Sequence, residues 1–144
     1  MSSFWRRAFN VQYRLLAWFD PVIRAVWRRQ GIGNILELRV ASRRDGTPER
    51  TRLVGLLRAG DGLYLGHPNG DVGWTRDLEA AGGGSLRYPN GVEWPFSAAR
   101  LPLGEEREQA IRATGQHPFP GNLMYRLGRR QVRAAGVFFR LESA

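Results

Sequence analysis

NILELRVASRRDGTPERTRLVGLLRAGDGLYLGH, residues 34–67, holds three extended segments and the turns between them. Apolar and polar residues alternate over 34–43, the two-residue period of a strand with one buried face, which puts Leu36, Leu38 and Val40 on a common inner side. The run stops around Asp45-Gly46 and Pro48, residue types that turn a chain. Residues 51–58 resume the extended pattern, Gly60-Asp61-Gly62 signals a tight hairpin, and 63–67 forms a third strand. Strands joined by such short turns pair antiparallel.

Beyond His67 the pattern predicts a short helix over 72–81, stopped by Gly82-Gly83-Gly84. Strands at 84–88 and 92–100 then hinge on Asn90-Gly91. Pro95 cannot donate to a ladder, which places its strand at an edge or a bulge. GEEREQAIRAT (104–114) reads as a helix whose glutamates form a solvated, dipole-matched first turn. GNLMYRLGRRQ (121–131) reads as a further helix, and 136–142 as a closing strand. His117 falls in a loop. Short antiparallel strands with few helices between them predict a mainly β, α+β chain in which one domain over 1–144 folds as a small barrel or roll.

Residues 3–18 and 21–30 read as two helices, the second opened by Asp20-Pro21 and ended by Gly31 and Gly33. In helical projection Trp5, Ala8, Phe9, Leu15, Leu16, Phe19, Ile23, Val26 and Trp27 share one face. Arg6, Arg7, Arg14, Arg24, Arg28 and Arg29 occupy an arc of about 140° on the other. The expected arrangement packs the apolar face on the barrel and leaves six solvated arginines; the same 1–30 segment also suits the surface of an anionic membrane.

Composition narrows the chemistry. There is no cysteine, so thiolate catalysis and disulfides are excluded, and two histidines make a metal site improbable. All 22 basic residues are arginine; without lysine there is no Schiff base and no Walker-type phosphate loop. The net charge of +9 favours anionic partners, and guanidinium forks suit phosphate more than they suit indiscriminate nucleic-acid binding. No run reaches the 18 or so apolar residues of a membrane span. The expected location is the cytoplasm, for a monomer or homodimer.

In order along the chain, two leading helices, NILELRVASRRDGTPERTRLVGLL, GDGLYLGHPNG, GWTRDLEA and a short hairpin resemble the deazaflavin (F-420)-dependent nitroreductase family. The likeness covers about residues 20–100. It implies a split β-barrel of the FMN-binding type, an oxidoreductase that takes a hydride from reduced coenzyme F-420, or in second place FMN, and passes it to a hydrophobic acceptor such as a quinone or nitro compound. Carried over by position, it places Arg43, Arg44, Asp45 and Gly46 at the phosphate-binding turn, with Arg50 nearby. Leu65, Gly66, His67, Asn69 and Gly70 fall at the strand end and loop that hold phosphate and ring, and Trp74 matches the family tryptophan. Tyr125 or His67 would supply a proton. The sequence departs from the pattern at Ser42, at Asp45, which sets a negative charge beside the phosphates, and at Asp77, where asparagine is usual. A different class of function stays open: a non-catalytic barrel holding a lipid, FMN or another flat apolar ligand.

Overall fold

A computed structural model describes residues 2–41 and 51–144. Helices α1 (Ser2–Trp18) and α2 (Asp20–Gln30) precede strands β1 (Ile35–Arg39), β2 (Arg52–Gly55), β3 (Leu57–Ala59) and β4 (Gly62–His67). Helix α3 (Gly73–Ala81) leads to β5 (Gly83–Arg87) and β6 (Glu93–Arg100). Helices α4 (Glu105–Ala113), α5 (Gly121–Leu127) and α6 (Arg129–Ala135) then lead to β7 (Val137–Ser143).

The sheet runs β2-β1-β5-β6-β7-β4-β3, with every neighbouring pair antiparallel. The strands at its two ends, β2 and β3, are separated only by Leu56. One bent segment therefore closes the sheet, its first half paired to β1 (Leu53 opposite Glu37) and its second to β4 (Leu57 opposite Tyr64). The result is a nearly closed seven-stranded split barrel. The expected single strand over 51–58 is thus two, bent at Leu56. Closure is incomplete at one end: Leu65, Gly66 and His67 of β4 pair with β7 alone, and β2 pairs with β1 alone.

Pro95 departs from the edge expectation, because β6 lies between β5 and β7. It sits opposite Ser85 on one side; on the other, β7 ends at Ser143 and Ala144 N–H donates to the Pro95 carbonyl at 3.2 Å. Its missing N–H falls where the neighbouring strand runs out, which is how an interior strand tolerates proline. The expected helix over 121–131 is two helices meeting at Gly128. The rings of Trp5 and Phe9 press there so closely that a Cβ would stand 2.9 and 3.0 Å from them.

Two cores form. Leu36, Leu38, Val40, Leu65, Leu86, Phe96 and Phe139 fill the barrel, with Leu78 of α3 inserted from above. The inward placement of Leu36, Leu38 and Val40 follows the alternation of β1. The second core lies between the outer faces of β3, β4 and β7 and the helices: Leu57, Tyr64 and Phe138 meet Phe9, Ile111, Tyr125 and Val132. Arg107 of α4 is buried with it, donating from Nη2 to the carbonyls of Arg133 (3.0 Å) and Gly136 (2.9 Å) at the end of α6, where the helix dipole is negative.

The leading helices pack outside the barrel, with two departures from the sequence reading. Of their apolar residues only Phe9 and Trp27 are buried, while Leu15, Leu16, Phe19 and Val26 remain exposed. Arg24 is not solvated. It donates to Asp20 Oδ2 (2.7 Å), to Glu37 Oε2 of β1 (2.6 Å) and to the Thr51 carbonyl (2.6 Å). Glu37 points outward from β1 beneath α2 and is only 5% exposed; Arg24 is its close partner, and Arg87 of β5 stands 3.7 Å from its other carboxylate oxygen. Arg24→Met should therefore lower the unfolding free energy in urea by about 3 kcal/mol, since the buried carboxylate then keeps only the longer contact to the half-exposed Arg87. Arg24→Met/Glu37→Leu, which removes both charges, should recover most of that loss.

Candidate functional site

β1 and β4 run in the same direction, each antiparallel to the bent β2–β3 segment. The C-terminal ends of both strands, the start of β2 and the loop before α3 therefore gather at the open end of the barrel. Arg52, which faces solvent, begins β2 there, close enough to His67 for its charge to be felt. Trp74, in the first turn of α3, lies edge-on to His67 with ring centroids 6.3 Å apart, and packs partly on the barrel core. The backbone at Gly73 is unobstructed, with nothing within 4 Å of where a Cβ would stand.

The loop residues expected to take up phosphate are engaged elsewhere. Asn69 N–H donates to His67 Nδ1 at 3.2 Å. The Asn69 amide donates to the Arg6 carbonyl (3.0 Å) and to Asn10 Oδ1 (2.9 Å), and accepts from Gln131 Nε2 (3.3 Å). Arg6 Nη1 donates in return to the Asn69 carbonyl at 3.2 Å. Asn69 is thus the hinge on which α1 is fastened to the barrel. Leu65 is fully buried in the barrel core. The space beside Gly66 is filled by the Phe138 ring, directly opposite in the β4–β7 ladder. Gly70 adopts φ 91° against the Ala135 carbonyl. Gly84, in the glycine run, gives its space to the Arg39 carbonyl of the neighbouring strand. These glycines admit the protein's own side chains and backbone.

His67 and Tyr125 belong to one aromatic chain that the sequence did not disclose. Tyr13 of α1 stacks on His67 (centroids 4.9 Å, 21° between planes), and its hydroxyl lies 3.4 Å from that of Tyr125. Tyr125 in turn stacks on His117 (4.9 Å, 27°). Tyr13 follows Phe9 by four residues and so points from α1 towards the barrel, its ring on His67 while 36% of it stays exposed; the spacing was present in the sequence. Burial lowers the pKa of His67 to about 4, assisted by the Arg52 charge, and burial lowers His117 to about 4. Both rings are neutral at pH 7. Because Nδ1 of His67 accepts a hydrogen bond, its proton resides on Nε2. Burial, with Tyr13 beside it, raises Tyr125 well above the ordinary phenol range; it stays protonated and reaches other groups through Tyr13.

Arg43, Arg44, Asp45, Gly46 and Arg50 lie outside the described residues. Their segment joins the end of β1 to the start of β2, which flank the open end. Among the described residues no cluster of acidic, histidine or cysteine side chains could hold a metal, and no helix is long and apolar enough to cross a membrane. Two open depressions of about 350 and 360 Å³ lie elsewhere, one beside Asn34, Leu56 and Tyr88, the other beside Phe119, Leu123 and Arg126.

No protein-family model matches the chain, and no curated protein sequence matches it. Solved structures do resemble it. The heme storage protein HutZ from Vibrio cholerae superposes with a TM-score of 0.56 at 15% identity, over 88% of this chain and 90% of that one. A pyridoxamine 5'-phosphate oxidase-like protein from Listeria innocua gives 0.51 at 10% identity, over 87% and 93%. At these identities the likeness establishes the split-barrel fold. An F420 reductase matches at a TM-score of 0.43 with 14% identity, over 78% and 88%, too distant a superposition to bear on the deazaflavin resemblance.

The two neutral histidines predict an acid-sensitive fold. Each has a folded pKa of about 4, below the ordinary histidine value of 6.5, so between those values the unfolded chain binds protons that the folded one excludes. Their contribution is complete above about pH 6.5 and is lost as pH falls towards 4, by up to about 1.4 kcal/mol per pH unit for each ring. Urea unfolding from pH 7.5 to 4.5 should show this decline, and His67→Gln/His117→Gln should flatten it. An unchanged slope in the double variant would assign the decline to carboxylates instead.

Proposed function

We propose that the chain binds a phosphorylated flavin-type cofactor, coenzyme F-420 in preference to FMN, at the open end of the barrel, and supports hydride transfer to a hydrophobic acceptor such as a quinone or nitro compound. The observation that carries this reading is topological. The arginine-bearing 42–50 connection begins and ends at the same barrel end as Arg52, His67 and Trp74. Guanidinium forks suit phosphate, and the partly buried Trp74 offers a flat wall to a ring system. In this reading Arg43, Arg44 and Arg50 would hold phosphate beside the cation of Arg52. Asn69 is spent on fastening α1 and Gly70 lies against the Ala135 carbonyl, while the backbone at Gly73 is open.

The cofactor, when bound, supplies the redox chemistry. The protein's part is to hold, orient and exclude water. Neutral His67 offers an Nε2–H donor, not an acid, at pH 7; Tyr125 offers a hydroxyl that reaches outward only through Tyr13. Leu65 and Gly66 shape the strand end. The alternative of an apolar ligand inside the barrel has against it an interior filled by Leu38, Leu65, Leu78, Leu86 and Phe139.

Fluorescence titration tests the proposal. The wild type should bind F-420 in the micromolar range or tighter. Arg43→Ala/Arg44→Ala should weaken binding at least about tenfold, because each charged hydrogen bond to phosphate contributes about 1.5–3 kcal/mol and about 1.4 kcal/mol is a decade in affinity. Asp45→Ser should tighten binding modestly and flatten its salt dependence. A folded wild type that binds neither F-420, FMN nor FAD at tens of micromolar would end the reading.

A further inference from the structure

α1 is apolar on two sides. Its inner side carries Trp5 and Phe9 onto α5, α6 and the barrel. Its outer side carries a second row, Phe4, Val11, Leu15 and Trp18, which falls within about 60° in helical projection. These residues are 64%, 52%, 52% and 78% exposed. At the corner into α2 the row continues in Phe19 and Val22, 49% and 63% exposed. Soluble surfaces carry single apolar residues freely, but a continuous row of large ones marks a contact surface.

Charge identifies the contact. Arg7 and Arg14 run along one flank of the row, both exposed, and Arg28 and Arg29 are exposed on α2. None of the four has a carboxylate partner among the described residues. α1 contains no acidic residue, and in residues 1–36 Asp20 is the single carboxylate. A second copy of the chain seated on this row by a twofold axis would face the same row, bringing arginine to arginine with no carboxylate on α1 to answer it. Anionic lipid headgroups answer it directly. Arginine stems lie along the apolar row while their guanidinium groups reach phosphate, and the row itself enters the headgroup–acyl boundary. The neighbouring α5 repeats the pattern: Leu123 and Leu127, after Phe119, are exposed beside Arg126.

We propose that the outer face of α1 and its corner with α2 dock the folded protein on an anionic lipid surface, with α1 lying flat between the barrel and the bilayer. The inner face keeps its grip on Asn69 and His67, so docking requires no unfolding of the helix.

Co-sedimentation of the full chain with vesicles tests this, using phosphatidylcholine alone and phosphatidylcholine with 30% phosphatidylglycerol. The wild type should pellet with the anionic vesicles at low salt, at least about tenfold more tightly than with the neutral ones. Leu15→Ser/Trp18→Ser and Arg7→Gln/Arg14→Gln replace only exposed side chains, so both should keep the wild-type melting temperature. Each should weaken anionic-vesicle binding at least about tenfold, and 0.5 M salt should weaken the wild type similarly. Three outcomes would overturn the proposal: no pelleting of the wild type, equal binding to both vesicle types, or unchanged binding in both double variants. Sedimentation equilibrium adds a fourth: a dimer that Leu15→Ser/Trp18→Ser converts to monomer would make this face a contact between copies.

Discussion

The fold depends on how one segment, Arg52–Ala59, satisfies two ladders at once. A seven-stranded antiparallel sheet has two edges whose unpaired backbone groups invite aggregation. Here both edges are parts of the same chain segment, bent at Leu56, so the barrel closes by covalent continuity. The bend also has a geometric consequence. Once β2 follows β1 and β3 follows β4, the two cannot stay paired to the same depth, and the last residues of β4 are left with a strand on one side only. The open end with His67 results from the way the barrel closes.

What fills the gap is helical. Tyr13 lies on His67, and Asn69 holds Arg6 and Asn10 of α1. The loop before α3 thereby becomes a joint between barrel and helix, with its polar groups turned inward. The remaining openings are at Gly73, Trp74 and Arg52. This separates the residues that build the site from those free to meet a ligand, a distinction that motif resemblance alone does not make.

The sequence disclosed the fold better than the site, for physical reasons. β1 is apolar on its inner face and carries Glu37 and Arg39 on its outer one, so its alternation was legible and Leu36, Leu38 and Val40 fell where the period placed them. β4 and β7 are buried on both faces, one inside the barrel and one under the helices; Tyr64 and Phe138 therefore belong to a second core that a two-residue period does not announce. Arg24 read as a solvated helix residue because its partner Glu37 is distant in sequence; the buried Arg107, held at the end of α6, gave no sequence signal for the same reason. The proline in β6 signalled an edge, but the condition it imposes is only a missing neighbour at one position. Of the residues expected at the candidate site, His67 and Trp74 do lie together, whereas the placement of Tyr13, Asn10 and Arg52 beside them depends on long-range packing that no local pattern announces.

The position of α1 ties events on its two faces together. One side of the helix contacts His67 and Asn69, and the other faces outward. A molecule at the open end that requires Tyr13 to shift must work against whatever holds the outer face, and the converse holds equally. Linkage makes such an effect reciprocal: the factor by which occupancy of one face changes affinity at the other is the same in both directions. A coupling of 1–3 kcal/mol, the usual range, would correspond to about 5- to 150-fold in either affinity. A ligand at the open end and a contact on the outer face would thus act on each other through one helix, which Arg6, Asn10 and Tyr13 tie to the barrel end and Trp5 and Phe9 to the core beneath it.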